Sequence, residues 1–160
     1  RRSLGIGEKM KRKILPIIMI LAISTALLAG CSKKDGNDKK NKDGYTHISG
    51  KEAAEFIENA DKNNAKIVDV RGEVAWGMGH IPKSIPIWYE DFDKGEVKEL
   101  PDKDQPILLY CDYGGLSKRV AKRMVKKGYT HVYEFDGLKV WKGKVVVSDE
   151  YKDVEEANQG

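Results

Sequence analysis

Ile107-Leu108-Leu109-Tyr110-Cys111-Asp112-Tyr113-Gly114-Gly115-Leu116-Ser117 consists of an apolar run, a cysteine and a glycine-containing loop, and residues 118–127 after it are amphipathic. The apolar run predicts a buried strand, and the amphipathic pattern predicts a helix that stops at Gly128. The apolar side of this helix contains Leu116, Val120, Met124 and Val125. A strand, a cysteine, a loop and a helix N-terminus in this order predict an anion-binding cradle around a nucleophile, Cys111.

Short apolar runs and helical patterns alternate on both sides of this segment. Strands are predicted at residues 45–48, 66–70, 84–88 and 130–135, in addition to 107–110. Helices are predicted from the capping box at Ser49 and Glu52 to about Ala60, at residues 73–78 and, as one turn, at residues 138–141. This alternation indicates an α/β domain with a mostly parallel sheet. Because sites in such sheets form at the carboxyl ends of strands, residues 69–71, residues 88–89 and Cys111 are expected to meet.

The N-terminal part has the pattern of an export signal. Lys11-Arg12-Lys13 precedes residues 14–29, which are apolar except for Pro16, Ser24 and Thr25. This stretch is almost long enough to span a bilayer, so an uncleaved signal anchor is the alternative. Leu28-Ala29-Gly30-Cys31 resembles the bacterial lipobox, which implies cleavage before Cys31 and lipidation of that cysteine. We therefore expect an exported protein, lipid-anchored to a bacterial membrane, with its domain outside the cytoplasm.

These patterns divide the chain into four parts. Residues 1–30 are predicted to be a lipoprotein signal peptide, with residues 1–9 upstream of the true start at Met10. Residues 31–44 are the lipidated cysteine and a flexible linker without apolar side chains. Residues 45–144 are the folded domain, and the tail at residues 145–160 is expected either to add an edge strand or to fray.

The basic balance of the chain comes from the signal segment. The sequence contains 29 Lys and Arg against 25 Asp and Glu, and residues 1–30 hold six of the former and one of the latter, which leaves 23 against 24. A nearly neutral mature protein gives no reason to expect nucleic-acid binding. With Cys31 lipidated, Cys111 has no disulfide partner, and an unpaired thiol in an oxidising compartment is either buried and inert or reactive.

Four motifs together resemble those of a single-domain rhodanese. They are Val68-Asp69-Val70-Arg71, Gly79-His80-Ile81-Pro82, the cysteine loop at residues 111–117, and Phe135-Asp136-Gly137-Leu138 with Trp141. The resemblance implies a rhodanese-like α/β domain, with a five-stranded, mostly parallel sheet flanked by helices on both faces. It also implies a sulfurtransferase that moves sulfane sulfur from thiosulfate, a persulfide or polysulfide to a thiophilic acceptor through a persulfide on Cys111.

The same resemblance suggests which residues surround the thiol. Amides of residues 112–117 and the helix N-terminus favour the thiolate, and Ser117 is expected to cap the helix or to donate a hydrogen bond to the persulfide. Many family members have Arg at the position of Leu116, so thiosulfate is expected to bind less well here than another persulfide or polysulfide. The basic helix residues either compensate for that Arg or form an exposed polar face. The predicted substrate-binding set is Asp112, Tyr113, Gly114, Gly115, Leu116, Ser117, Arg71, Lys118 and Arg119.

Supporting roles are expected for three other residues. Asp69 is expected to accept backbone hydrogen bonds, Arg71 to bridge segments or lend charge to the pocket, and His80 to fix its turn. No metal site is predicted, because the histidines show no ligand spacing, and no cofactor is predicted either. The expected partners are small sulfur donors and acceptors, the membrane through Cys31, and an exported thiol protein as a further acceptor.

Two alternatives to catalytic sulfur transfer are a phosphatase or arsenate reductase and a non-catalytic binding module. Phosphatases and arsenate reductases of the same fold carry a longer loop that ends in Arg, and that Arg would fall at Ser117. Its absence removes the bidentate contact to a tetrahedral oxyanion. A non-catalytic rhodanese-like sulfur carrier or partner-binding module at the cell surface has the same cysteine loop, and the sequence leaves this alternative open.

Overall fold

The computed structural model of the protein describes residues 40–152. The predictions for the signal peptide, for lipidation of Cys31, for most of the linker and for residues 153–160 lie outside the described residues. No helix between residues 40 and 152 combines the length and apolar character that a membrane span requires.

Five short strands form one sheet in which every paired strand is parallel. The strands are β1 (Thr46–His47), β2 (Lys66–Asp69), β3 (Ser84–Pro86), β4 (Ile107–Tyr110) and β5 (Val132–Glu134), in the order β1-β5-β4-β2-β3. The helices are α1 (Gly50–Glu58), α2 (Glu73–Met78) and α3 (Gly115–Lys126), with 3₁₀ turns at Asp91–Asp93, Gly137–Lys139 and Asp149–Tyr151. The predicted α/β fold with a five-stranded parallel sheet is confirmed, and β4 lies at its centre.

The apolar core has two layers, one on each face of the sheet. Successive side chains of a strand point to opposite faces, so Leu109 of β4 belongs to the layer under α3, with Val120 and Met124. Leu108 belongs to the opposite layer, with Ala53 and Ile57 of α1. Because both faces are covered, β4 is buried along its whole length, as its continuous apolar run predicted.

Helix α1 begins at the predicted capping box. Ser49 Oγ accepts from the Glu52 amide at 3.3 Å, and the Glu52 carboxylate accepts from the Ser49 amide at 2.7 Å. These two bonds satisfy amides that the first helical turn leaves without partners. The backbone hydrogen bond from Ser49 also lowers the pKa of the Glu52 carboxyl.

Helix α3 begins three residues earlier than the sequence pattern predicted, at Gly115. Gly114 takes a left-handed conformation with φ +79° and is the N-cap residue, without a side-chain capping bond. The predicted capping role of Ser117 is therefore wrong, because Ser117 lies inside the first turn and faces the sheet. The consequence is a cysteine loop of only a few residues, with Cys111 directly beside the helix N-terminus.

Other element boundaries also differ from the prediction. Strand β3 ends at Pro86, β2 at Asp69, and β1 and β5 are shorter than the apolar runs that contain them. Residues beside these strands are still apolar and buried, because they pack against the core after the ladder pairing has ended. Apolar patterns report burial and not hydrogen-bond pairing, so they overestimate the length of short strands.

The start of the tail contacts the turn after α2. Val146 and His80 form an isolated antiparallel bridge, with both N–H···O distances at 2.9 Å. The Ser148 amide donates to the Gly77 carbonyl at 2.9 Å. Of the two predicted outcomes for the tail, the described part up to residue 152 gives neither a full edge strand nor a frayed end.

Candidate functional site

Cys111 is the first residue after β4, at the carboxyl edge of the sheet, and only 3% of the residue is exposed. The Gly114 amide donates to Sγ at 3.1 Å, and the Ser117 hydroxyl lies 3.7 Å from Sγ. Several amides of residues 112–117 were predicted to donate to the sulfur. The described structure shows one such main-chain hydrogen bond, and the other polar group near the sulfur is the Ser117 hydroxyl. Both groups belong to the start of α3, so the positive end of the helix dipole also faces the thiol.

Gly137, in the turn after β5, packs closely against the cysteine loop. A Cβ atom on Gly137, which has φ +74°, would lie 1.8 Å from the Cys111 carbonyl oxygen. This close approach lets the Leu138 amide donate to Cys111 O at 3.0 Å and the Lys139 amide donate to Asp112 O at 2.9 Å. The backbone position of the thiol is therefore set by the turn that follows β5.

The first polar network beside the thiol is built on Asp69 and Arg71. The fully buried Asp69 carboxylate accepts Arg71 Nε at 2.9 Å and Nη2 at 2.7 Å. Arg71 also donates from Nη1 to Asp112 at 2.9 Å and from Nη2 to the Gly79 carbonyl at 2.6 Å. Burial opposes the charged guanidinium, but the hydrogen bonds and negative charges of Asp69 and Asp112 raise the pKa of Arg71 above its ordinary value.

This network joins three segments of the sheet edge. The residues at the end of β2, the turn after α2 and the cysteine loop are connected through one guanidinium group. The donors of Arg71 are directed at protein acceptors, which matches the predicted bridging position. Contact between Arg71 and substrate stays a prediction.

His80 lies in the turn after α2, where it was expected to have a structural role. Its Nδ1 contacts the Trp76 carbonyl oxygen at 2.8 Å, and its ring stacks on Trp76 with centroids 3.8 Å apart. The residue is buried, and its backbone pairs with Val146. All of these contacts are within the turn and the tail, and none joins the imidazole to Cys111.

The remaining predicted loop and helix residues divide into inward and outward groups. Leu116 packs against the core layer under α3, whereas Tyr113 is 75% exposed beside the thiol. Lys118 Nζ lies 2.6 Å from Asp136 Oδ1, and this hydrogen bond raises the pKa of Lys118. Arg119 lies over the Tyr89 ring at 5.7 Å. The other two helix cations predicted to compensate for Leu116 are Lys122, which pairs with Asp43 at 2.9 Å, and Arg123, which pairs with Asp93 at 3.0 Å, so all four are engaged with a neighbour.

A second polar network contains a residue that the sequence reasoning missed, Glu134. Its side chain is fully buried at the end of β5; Oε1 accepts from the Ser117 hydroxyl at 2.9 Å, and Oε2 contacts His47 Nδ1 at 2.8 Å. Burial raises the pKa of Glu134, and the hydrogen bonds from His47 and Ser117 oppose that rise. The available signal was a single charged residue in the apolar run Val132-Tyr133-Glu134-Phe135, at the end of a predicted strand.

Comparison with known proteins agrees with this geometry. The family model of the rhodanese-like domain matches residues 52–144, which is more than half of the chain. The chain belongs to the rhodanese family. A curated relative, thiosulfate sulfurtransferase GlpE of Coxiella burnetii, is 32% identical over 109 residues, which are 68% of this chain and 97% of that protein. At the family level, this relationship supports a sulfurtransferase-type enzyme.

Two further similarities are more limited. The tRNA uridine(34) hydroxylase of Chlamydia muridarum is 25% identical over 158 residues, and the match covers 88% of this chain but only 45% of that protein. The rhodanese chain thus spans less than half of this relative. The structure of the Alr3790 protein from Anabaena sp. is 20% identical with a TM-score of 0.56, covering 70% of this chain and 89% of that one. That structure supports the rhodanese fold alone.

Between residues 40 and 152, one group of side chains in this rhodanese has the chemistry of metal ligands, namely His47, Glu134 and Asp136. Two of its members, His47 and Glu134, are hydrogen-bonded to each other, and the Lys118 ammonium group lies on the Asp136 carboxylate at 2.6 Å. An ammonium group at that distance repels a second cation. We therefore interpret these side chains as a hydrogen-bonded group and not as ligands of an ion.

The arrangement around Cys111 favours a nucleophilic thiolate. A main-chain donor and a helix N-terminus both stabilise negative charge on sulfur, and the Ser117 hydroxyl lies within reach of it. The Arg71 network and the Gly137 turn hold the loop in place, so little reorganisation is needed when charge forms. Chemically, this arrangement suits nucleophilic attack by Cys111 Sγ.

Proposed function

We propose that the protein is a sulfurtransferase that carries sulfane sulfur as a persulfide on Cys111. The observation that supports this most directly is the Gly114 amide at the start of α3, which donates to Sγ at 3.1 Å, with the Ser117 hydroxyl within reach of Sγ at 3.7 Å. A buried structural thiol has no need of such donors, whereas an ionised sulfur does. The 32% identity to a thiosulfate sulfurtransferase supports the same reaction class.

In the first half of the reaction, the Cys111 thiolate attacks the outer sulfur of the donor. For thiosulfate, a bond forms between Sγ and the outer sulfur, the S–S bond of the donor breaks, and its electron pair leaves with sulfite. The product is a Cys111 persulfide, and no external oxidant or reductant is required. The donors on the sulfur and the positive end of α3 stabilise the anionic group in this pocket.

In the second half, a thiophilic acceptor attacks the outer sulfur of the persulfide. The bond between this sulfur and Sγ breaks, its electron pair returns to Sγ as thiolate, and the acceptor leaves with the sulfur atom. Cyanide would leave as thiocyanate, and a thiolate would leave as a new persulfide. The same donors that stabilise the initial thiolate stabilise it again as the leaving group.

The surroundings of the loop favour a donor with little negative charge. Leu116 places an apolar side chain where many relatives carry Arg, and Lys118 is engaged with Asp136. A dianion such as thiosulfate gains less from this pocket than it would from one with a free guanidinium. We therefore propose a persulfide or polysulfide as the preferred donor, with thiosulfate used less efficiently.

The direct test is the mass of the protein after exposure to a donor. The test uses the full chain with Cys31→Ser, in which Cys111 is the remaining cysteine. This protein is incubated with thiosulfate or polysulfide and desalted, and its mass is measured by mass spectrometry. We expect one added sulfur atom, lost on treatment with cyanide with formation of thiocyanate, and no addition when Cys111 is also replaced by Ser. Unchanged mass with every donor contradicts sulfur transfer.

A partner-binding sulfur carrier is the second candidate, and exposed Tyr113 supports it. This aromatic side chain lies two residues from the thiol and is 75% exposed, in a place where a docking protein would bury it. An exported protein with a reactive thiol would then accept the sulfur. A persulfide that forms but is released only slowly to cyanide favours this carrier, and steady thiocyanate formation favours turnover with small acceptors.

The proposal includes export and lipidation at Cys31. The support is the basic, apolar and lipobox-like pattern of residues 11–31. Globomycin blocks the peptidase that cleaves lipoprotein precursors, so treated bacterial cells should accumulate a larger form of the protein. An identical gel position with and without globomycin contradicts lipoprotein processing, and an uncleaved signal anchor then becomes the better explanation.

A further inference from the structure

Glu134 is a buried acid that the reaction described above does not use. Its carboxylate is fully buried, yet the groups that contact it are a serine hydroxyl and an imidazole, not a guanidinium or ammonium group. A buried carboxylate without a permanently charged partner is protonated more easily than an exposed one. Glu134 can therefore change its charge within the folded domain.

The Ser117 hydroxyl connects this carboxyl to the reactive sulfur. The hydroxyl has one hydrogen and three acceptors within reach: Glu134 Oε1 at 2.9 Å, Gly114 O at 3.2 Å and Cys111 Sγ at 3.7 Å. Gly114 O already accepts the Lys118 amide at 3.1 Å. The two acceptors that mainly compete for the hydroxyl hydrogen are therefore the Glu134 carboxylate and the Cys111 sulfur.

The protonation state of Glu134 determines that choice. An ionised carboxylate binds the hydroxyl hydrogen, since hydrogen bonds to charged acceptors are the stronger ones. A protonated carboxyl instead donates its own hydrogen to Ser117 Oγ, and the serine hydrogen is then free to point at Sγ. Ionised Glu134 also places a second negative charge beside the thiolate, which disfavours it.

We propose that Glu134 is a positioning residue that controls the ionisation of the Cys111 thiol through the Ser117 hydroxyl. His47 completes the path to solvent, because its Nδ1 lies 2.8 Å from Glu134 Oε2 and 44% of its side chain is exposed. The only covalent bond that forms or breaks in this step is the O–H bond of Glu134. A proton is exchanged between solvent and Glu134, and the serine keeps its hydrogen while changing the acceptor.

The charged and titratable groups around Glu134 come from every element packed against it. They are His47 from β1, Cys111 after β4, Lys118 from α3 and Asp136 after β5. Burial raises the pKa of Glu134, whereas His47, Ser117 and the charge of Lys118 lower it by smaller amounts. Because Glu134 and the sulfur compete for one hydroxyl hydrogen, the reactivity of the thiol is expected to depend on the protonation state of Glu134.

The inference deepens the proposed function, because it concerns the control of the same thiol, but it can be tested without sulfur. The rate of alkylation by iodoacetamide is measured from about pH 5 to about pH 10 on the full chain with Cys31→Ser, since only the thiolate reacts. Glu134→Gln retains the size of the side chain and, like the protonated acid, offers a donor to Ser117 Oγ, but it carries no charge. We expect its alkylation at about pH 6 to be roughly tenfold faster than in the parent, with equal rates where both groups of the parent are ionised.

Two further variants separate the hydroxyl path from general effects. In a Ser117→Ala background, Glu134→Gln should increase the rate at low pH by clearly less, because the hydroxyl no longer transmits the change. Glu55→Gln removes the same charge from the exposed face of α1 and should leave the profile unchanged. An equal effect of Glu134→Gln with and without Ser117, or a rate change that is uniform across pH, overturns the inference.

The unmodified Glu134 protein provides a test that does not depend on the folding of any variant at this site. Its alkylation profile should require two ionisations, and a profile described by one ionisation overturns the inference. The outcomes also separate the two proposals. A coupled profile without any persulfide contradicts sulfur transfer alone, whereas persulfide formation with a simple profile contradicts the role of Glu134 alone.

Discussion

Two buried carboxylates flank Cys111, and they differ in what neutralises them. Asp69 ends β2 on one side of β4 and is held by the Arg71 guanidinium through Nε and Nη2. Glu134 ends β5 on the other side and is held by a hydroxyl and an imidazole. A guanidinium group is always charged in proteins, so the Asp69 side has a fixed charge and a fixed shape. The Glu134 side can lose its charge, which makes it the side that can respond to pH.

Arg71→Met removes the permanent positive charge that neutralises Asp69. Asp69 would remain buried without its partner, and we expect the free energy of unfolding to fall by about 3–5 kcal/mol. Urea unfolding followed by circular dichroism measures this loss. Lys83→Met is the control, because the Lys83–Asp61 pair is exposed and its loss should change stability by less than about 1 kcal/mol. Similar small losses for both variants would show that the Asp69 side is not held by charge.

The next effect concerns the turn that joins the Glu134 side to the cysteine loop. Gly137→Ala forces a Cβ against the Cys111 carbonyl at a backbone conformation that alanine disfavours, and we expect a loss of about 3 kcal/mol. Gly115→Ala is the matched control, since its Cβ would meet no other atom within 4 Å. That substitution should be neutral or slightly stabilising in the first turn of α3. Equal stability of the two variants would contradict the described contact between the turn and the loop.

Glu134→Gln tests the other carboxylate through the pH dependence of the free energy of unfolding. Because burial raises the pKa of Glu134 in the folded protein, the folded state retains this proton at higher pH than the unfolded state. The resulting stabilisation is fully present below the unfolded pKa and is lost as pH rises through the folded pKa. Glu134→Gln should remove this component, so the difference in unfolding free energy from the parent should change with pH, on the order of 1 kcal/mol.

Urea unfolding at several pH values tests this sign. The parent protein should lose stability relative to Glu134→Gln as the pH is raised from acid to neutral, and Glu55→Gln should show no such trend. The reverse trend, with the parent gaining relative stability over the same interval, would mean that ionised Glu134 is favoured by its surroundings.

The smallest expected effect is at Tyr113, which belongs to neither network. The side chain is 75% exposed, and its ring lies 5.8 Å from Lys139 Nζ. Tyr113→Ala should change the free energy of unfolding by less than about 0.5 kcal/mol. A loss of unfolding free energy as large as that of Arg71→Met would show that the exposed side chain of Tyr113 also stabilises the fold.

The sequence predicted one side of this site far better than the other. Asp69 and Arg71 are close in sequence and directly follow an apolar strand, so their position at the carboxyl edge follows from local pattern alone. Glu134 and Ser117 are 17 residues apart, and His47 is 87 residues from Glu134. Their meeting depends on the strand order β1-β5-β4, which no local pattern contains.

Local pattern also misjudged where α3 begins, and of the two roles that it left open for Ser117, capping is wrong. The polar residue at the start of an amphipathic run suggested a cap, but the positive φ of Gly114 starts the helix earlier and turns Ser117 inward. Asp136, in the turn after β5, packs so closely on Gly114 that a Cβ atom there would lie 3.2 Å from Asp136 Cα, which favours glycine at this position. The boundary was therefore set by a contact between segments distant in sequence.

The α/β class, the buried strand before Cys111 and the place of Asp69 and Arg71 at the end of a strand follow from the sequence, because each depends on hydrophobic periodicity or on residues adjacent along the chain. The ion pair between Asp69 and Arg71, the buried Glu134 carboxylate beside the Ser117 hydroxyl and the exposure of His47 follow from the tertiary structure. The physical reason is that burial and hydrogen-bond geometry, which set the charge of Glu134, arise only when β1, β5, β4 and α3 pack together.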